Sequence, residues 1–307
     1  MDYRKLGKTD FSVSRIVFGC WELGGKLWEF KSDENNVRVL QTAFENGVTT
    51  FDSAEGYANG HSEEVVGMAV KGKRKDCIIA TKVSPENLRP HDVRTAIEAS
   101  LKRLDTDYID IYYIHWPNVE IPLEDTMSEF NKLKKEGLIR AIGVSNFSLE
   151  KLKEALQFGD IDVLQPEYSL LQRDIEGGLL QFCEKNSISV LSYSSIAKGI
   201  LTGAFHLGKA VIKEDDFRSK RRLFIPDHLE KEKELIYLMK RIADEKNVTL
   251  SQVAISWLLY QNGLTGAIVG TQDEKHLVDN IKSVRLTLSD DELERLGSIS
   301  NKVLQSL

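Results

Sequence analysis

Eight short runs of β-forming residues, each followed by a stretch of helical character, constrain this chain more than any other feature. The runs are RIVFG (15–19), GVTTFD (47–52), CIIATK (77–82), YIDIYYIH (108–115), LIRAIGVS (138–145), VLQPE (163–167), ISVLSYS (188–194) and GAIVG (266–270). Helical patterns lie between them at 35–45, 63–70, 93–103, 126–136, 149–157, 178–185 and 276–281, and 229–262 reads as two further helices. The strand runs are continuously apolar, not alternating, which suits strands covered on both faces and therefore a parallel sheet. Run starts follow one another at about 30 residues through the first five steps, the pace of a strand–helix unit. Eight such units fit a (β/α)8 TIM barrel better than a doubly wound sheet. The expected fold is therefore α/β, with all 307 residues (1–307) in one domain.

The ends and the one irregular interval have readings of their own. YRKLGKTDFSVS predicts an N-terminal β-hairpin with its turn near Gly7–Asp10, placed to plug the barrel bottom. LSDDELERLGSIS predicts an additional C-terminal helix, with Ser289 as N-cap and Glu292 completing a capping box. The interval from the seventh run to the eighth, 188 to 266, leaves room for a large polar loop after strand 7, on the side where barrel active sites sit.

Composition excludes several classes of function. Apolar residues make up 41% and charged residues 29%, too apolar a mix for a disordered chain. The net charge of −6 argues against a nucleic-acid surface, which needs a basic field. Cys20, Cys77 and Cys183 are odd in number and far apart, so neither a disulfide framework nor a zinc site is expected. The charged N-terminus has no signal-peptide pattern and no run of about 18 apolar residues occurs, so no membrane span is expected. The expected location is cytoplasmic. The six histidines show no ligand spacing, so no metal is expected.

Reactive groups in a TIM barrel stand at the C-terminal ends of strands. Read off in order, these are Asp52, Lys82 and His115, with Tyr57 in the loop just after Asp52. Singly, each has a structural explanation: an Asp52–Lys82 ion pair, a loop aromatic, a hydrogen-bonded histidine. Together at one barrel end they point to chemistry. A phenol is a poor acid near neutrality, but a neighbouring ammonium stabilises the phenolate and is expected to lower its pKa. Asp52 would hold the lysine, and His115 could orient a carbonyl oxygen. The set would serve as a proton donor to an oxygen that gains negative charge, as a ketone oxygen does under hydride attack.

The motifs FDSAEGYANGHSEEVVG (51–67), IIATK, YIDIYYIHWP, GLIRAIGVSNF (137–147) and LSYSSIAKGILTG (191–203) resemble the aldo-keto reductase family, in order and over nearly the whole chain. The long loop after strand 7 resembles the bacterial and archaeal branch. The resemblance implies a carbonyl reductase using NADP(H), with NAD(H) as an alternative, and no Rossmann domain. A small-molecule aldehyde or ketone is the implied partner; nucleic acid and membrane are not, and no oligomeric state is assigned. The other reading is a cofactor-binding, redox-sensing regulatory subunit with slow turnover. By resemblance Tyr57 is the general acid, Lys82 and Asp52 tune it, and His115 orients substrate. Ser145, Asn146 and Gln165 hold the nicotinamide amide, and Tyr193 stacks on its ring. Gly19, Trp21 and Asp52 line the same region. Ser194, Ile196, Lys198, Gly199 and Leu201 belong to the pyrophosphate loop, where Ser195 replaces a common proline. Gly270, Thr271, Gln272, Lys275, His276, Asp279 and Asn280 fall in the adenosine segment. Gln272 departs from the Lys or Arg usual in NADPH-preferring members.

For substrate, Trp21, Trp28 and Trp116 offer aromatic walls beside Tyr57 and His115, while Trp257 is assigned to core. The basic run Arg218–Arg222 suits an acidic substrate, the cofactor phosphates or a solvated loop. Cys20 is a free thiol near the pocket, open to oxidation or simply packed.

Overall fold

The structure is a computed structural model and describes residues 1–25 and 31–307, so Trp28, a candidate substrate contact, lies outside the described residues. A hairpin comes first, with β1 (Tyr3–Lys5) antiparallel to β2 (Ser12–Ser14) in the register Tyr3 to Ser14. The remaining strands are β3 (Ile16–Gly19), β4 (Thr50–Asp52), β5 (Ile78–Val83), β6 (Ile109–Ile114), β7 (Ile139–Ser145), β8 (Val163–Gln165), β9 (Ser189–Ser192) and β10 (Gly266–Val269). They are all parallel and close into a barrel in chain order, β10 pairing with both β9 and β3. The helices are α1 (Asp33–Glu45), α2 (His61–Val70), α3 (Pro90–Leu104), α4 (Leu123–Glu136), α5 (Leu149–Ala155), α6 (Leu179–Lys185), α7 (Pro226–Lys246), α8 (Leu250–Leu259), α9 (Glu274–Lys282) and α10 (Asp290–Ser306). Among the described residues no helix is long and apolar enough to cross a membrane.

All eight expected strands are present, and their shifted boundaries have local causes. β4 begins at Thr50 and not at Gly47, because Gly47 (φ +84°) and Val48 complete the end of α1, where the Val48 N–H bonds the Ala43 carbonyl. β8 stops at Gln165, before Pro166, which has no N–H to give a ladder. α1 starts earlier than its apolar pattern because the Ser32 hydroxyl caps it by accepting from Asn35 N–H. The capping box expected at Ser289 and Glu292 is formed.

Two apolar layers result. Inward-facing residues Val17, Ala80, Ile111, Tyr113, Ala141, Val163, Leu191 and Ile268 fill the barrel. Leu6, Phe11 and Val13 of the hairpin join that cluster, so the hairpin does plug the interior. Gly143 is what admits the Tyr113 ring, since a Cβ there would lie 2.3 Å from Tyr113 Cδ1. The outer layer joins strands to helices and includes Trp257, fully buried on α8 as expected. Arg15 is spent on structure, its guanidinium donating to the carbonyls of Leu259, Leu264 and Thr265.

Candidate active site

One end of the barrel gathers the chemistry, because each reactive side chain is the last residue of a strand or lies within a few residues of its end. Gly19 ends β3, Asp52 ends β4, Lys82 is next to last in β5, and His115 follows β6. Ser145 ends β7, Gln165 ends β8, Tyr193 follows β9 and Gly270 follows β10. A cavity of about 420 Å³ opens among them. Its walls include Gly19, Trp21, Asp52, Tyr57, His115, Trp116, Ser145, Asn146, Gln165, Tyr193, Ser194, Ile196, Lys198, Gly199 and Gly270.

Behind the lining residues Asp52 and Tyr57 lies Lys82, fully buried, which donates to Asp52 Oδ1 at 2.5 Å, to the Ser53 carbonyl at 2.6 Å and to Tyr57 Oη at 3.3 Å. Gln165 Nε2 donates to the other carboxylate oxygen of Asp52 at 2.7 Å. This amide, expected to meet the nicotinamide, therefore also holds the aspartate. Burial works against the Lys82 ammonium, but Asp52 and the Tyr57 phenol outweigh it and raise its pKa. The phenol differs from expectation. Burial raises the Tyr57 pKa above its ordinary value, and the Lys82 charge opposes that rise without reversing it. Tyr57 is thus a protonated phenol whose ionised form has an ammonium waiting beside it. The His115 ring meets the Tyr57 ring edge-on at 5.8 Å. Burial and the Lys82 charge depress its pKa to about 3, leaving a neutral imidazole at physiological pH.

Further polar groups organise the upper wall. Asn146 Nδ2 donates to the His115 carbonyl and to Ser145 Oγ, both at 3.0 Å, and Asn146 Oδ1 accepts from the Tyr193 hydroxyl at 2.7 Å. Ser195 Oγ donates to the Ile268 carbonyl at 2.9 Å, tying the loop after β9 to β10 where a proline would have stiffened it. Among the described residues nine non-glycine residues have positive φ; Asn146, Ser194 and Lys198 line the cavity, and Ala58, Asn59 and Ala197 lie within two residues of lining residues in the chain. Such strain clusters at ligand clamps. Lys198 is not free, since its ammonium lies 2.5 Å from Glu167 Oε1. Trp21 meets Phe217 edge-on at 5.6 Å, so the loop after β9 reaches across the mouth.

Several candidate residues stand apart from the cavity. The Leu201 side chain is fully buried in the hydrophobic core and is not part of the cavity wall. Asp279 lies on a separate groove with Asn247, Thr249 and Arg285, and pairs with Lys282 at 3.0 Å. Thr271, Gln272 and Asn280 are buried beside the strand end, while Lys275 and His276 are exposed. The Gln272 carbonyl accepts from Lys31 Nζ at 3.1 Å, which brings a cation to this segment from a distant part of the chain.

Cavity residues not singled out in the sequence reading are Glu22, Glu167, Ile268 and Val269, the first two of them acidic. Burial pushes the Glu22 carboxyl up to about 7, with Arg218 opposing. Glu22 gave no signal in the sequence, because only the turn after β3 aims it inward. Cys20 also lines the cavity but is fully buried, and burial pushes its thiol well above the usual range, so it is an unreactive thiol and not a thiolate.

The residues present fit a nicotinamide dinucleotide. The Ser194–Gly199 turn offers backbone to an anion and Tyr193 offers a flat ring, while Gly270 lets two strand ends close up at the wall, a Cβ there lying 2.7 Å from the Gly19 carbonyl oxygen.

Comparison with known proteins agrees. The model of the Aldo/keto reductase family matches residues 15–301. Aldo-keto reductase YhdN of Bacillus subtilis (strain 168) is 32% identical over 310 residues, covering 97% of this chain and 93% of that protein. The NADH-specific methylglyoxal reductase of Escherichia coli (strain K12) is 32% identical over 313 residues, covering 93% and 94%. The crystal structure of an aldo-keto reductase from Klebsiella pneumoniae in complex with NADPH superposes with a TM-score of 0.79 at 29% identity, covering 98% of this chain and 96% of that one.

Proposed function

This chain belongs to the aldo/keto reductase family, and from that membership and the site geometry we propose that it reduces aldehydes and ketones to alcohols with Tyr57 as proton donor. The observation that carries the reading is the Tyr57 hydroxyl 3.3 Å from an ammonium that is itself 2.5 Å from a buried carboxylate, on the floor of an open cavity. When bound, a reduced nicotinamide dinucleotide supplies the hydride for the carbonyl carbon. The chain's own groups do the rest. Tyr57 gives its proton to the carbonyl oxygen as negative charge builds there. Lys82 stabilises the phenolate left behind, so its charge acts where charge develops. Asp52, steadied by Gln165, keeps the lysine in place. The neutral His115 offers a hydrogen bond that fixes the carbonyl oxygen near Tyr57. Trp21 and Trp116 wall the apolar part of the substrate.

Tyr193 suits the nicotinamide ring, and Ser145, Asn146 and Gln165 its amide. NADPH and NADH are both within reach of the adenosine segment. Gln272 supplies no cation for a 2′-phosphate, but the ammonium groups of Lys31 and the exposed Lys275 are on hand, which favours NADPH. Three buried free thiols suit a reducing compartment such as the cytoplasm, and one closed barrel suits one domain.

The test is Tyr57→Phe. We expect kcat for carbonyl reduction to fall by about 10²–10⁴, while fluorescence titration gives nearly the same Kd for NADPH and for NADH. Turnover undiminished in this variant would remove Tyr57 from the mechanism.

A further inference from the structure

The loop between β9 and α7 brings three cations to the cavity wall: Lys198, Arg218 and Arg221. Two of them are already engaged. Lys198 is paired with Glu167 at 2.5 Å. Arg218 grips Asp216 through Nε and Nη2 at 2.6–3.1 Å and points Nη1 at the Lys198 carbonyl. The floor pair of Lys82 and Asp52 is balanced as well. Arg221 is different. Among the described residues no carboxylate lies within ion-pair distance of it, although it lines the cavity and its side chain reaches solvent.

Its backbone is held firmly. The Arg221 N–H donates to the Arg218 carbonyl at 2.9 Å, and the Arg221 carbonyl accepts from Phe224 N–H at 2.9 Å. Phe224 is buried and meets Phe205 edge-on at 5.5 Å, which anchors the turn. The guanidinium faces the same part of the cavity as Tyr193, whose phenol feels its charge. An uncompensated guanidinium beside aromatic walls, in a molecule of net charge −6, is a local site for an anion.

Building on the reading of this cavity as a carbonyl reductase site, we propose that Arg221 recognises an anionic group on the substrate, so that the preferred substrates are aldehydes and ketones bearing a carboxylate or phosphate. The guanidinium fork matches either group in two parallel hydrogen bonds. The rival source of the same chemistry is the cofactor diphosphate, for which the Ser194–Gly199 turn and Arg218 are the nearer partners.

The experiment compares size-matched aldehydes at saturating reduced cofactor: 4-oxobutanoate against butanal, and 2-carboxybenzaldehyde against benzaldehyde. We expect the wild type to favour the anionic member by about tenfold or more in kcat/KM, a hydrogen bond to a charged group being worth that much. Arg221→Gln should reduce that ratio by about tenfold, chiefly through KM, and Arg221→Lys should restore part of it. The wild-type preference should also shrink as salt rises. A wild type that reduces both members equally overturns the proposal and leaves the Tyr57 reading standing. So does an Arg221→Gln variant that loses both activities in parallel while its cofactor Kd rises, because the arginine then serves the diphosphate. A wild type that reduces no carbonyl compound overturns both.

Discussion

The phenol at position 57 is pulled two ways. Burial disfavours the phenolate, and the Lys82 ammonium 3.3 Å away favours it, with burial ahead in the resting site. Reduction needs the protonated phenol, so activity falls as pH rises through its pKa. Removing the cation takes away the one strong force that lowers that pKa. For Lys82→Met we therefore expect the alkaline limb of the kcat profile to move to higher pH, and kcat below the limb to fall by about 10² or more as the donor becomes a weaker acid. Lys82→Arg, which keeps the charge, should hold the limb closer to its original place. A limb that stays put in Lys82→Met, read from rates carried well above pH 10, would refute the tuning role. The four residues of this set were legible in the sequence because a strand end fixes where Asp52, Lys82 and His115 point. The balance of forces on Tyr57 was not. Spacing announces a neighbouring ammonium but not how completely water is excluded from the phenol. Glu22 was illegible for a related reason: it is one acidic residue in an unremarkable turn until β3 and the Gly270 backbone are set beside it.

Among the elements, the strands and helices follow from periodicity, whereas the loop after β9 does not. Its basic run reads the same whether each arginine is free or paired. Only the short turn Phe217–Lys220, capped by Asp216, decides that Arg218 is bound at home and Arg221 is not. The N-terminal hairpin is the opposite case, since the turn residues at Gly7–Asp10 announce it and the apolar Leu6, Phe11 and Val13 beside them supply the plug. Leu6 is fully buried inside the barrel at the end remote from the reactive groups. Leu6→Ala should leave a cavity there and cost about 2–5 kcal/mol of stability, a fall of several degrees in Tm at roughly 2–4 °C per kcal/mol for a chain of this size. Below that lowered Tm, kcat should be preserved, because the barrel face opposite the reactive groups serves stability and not chemistry. Calorimetry and steady-state rates on the same sample check both halves. A large loss of kcat with an unchanged Tm would mean that the plug is coupled to the site.

For the molecule as a whole, what matters is closure. β10 joins β9 to β3, so a pairing between residues about 250 positions apart seals the ring: Ala267 lies beside Ile16 and Val269 beside Phe18. Without β10, β3 and β9 become edges, and neither IVFG nor SVLS carries a charge or proline to protect it. The same closure assembles the cavity, because Gly19 ends β3, Gly270 follows the adjacent β10, and both line it. Fold and site therefore share one dependence on the chain's far end, but not on all of it. α10 packs outside the ring, burying Leu296 and Val303 and accepting Arg173 at the Gly297 carbonyl. Two truncations should behave very differently. Ending the chain after Asn262 removes β10 and should give aggregated protein with no cooperative melting transition. Ending it after Leu288 removes α10 alone, keeps the ring shut, and should give a protein that melts cooperatively at a lower temperature and still binds NADPH in a fluorescence titration. Cooperative melting in the shorter chain would show that seven strands can hold this barrel, and the argument from closure would then fail for the fold and the site together.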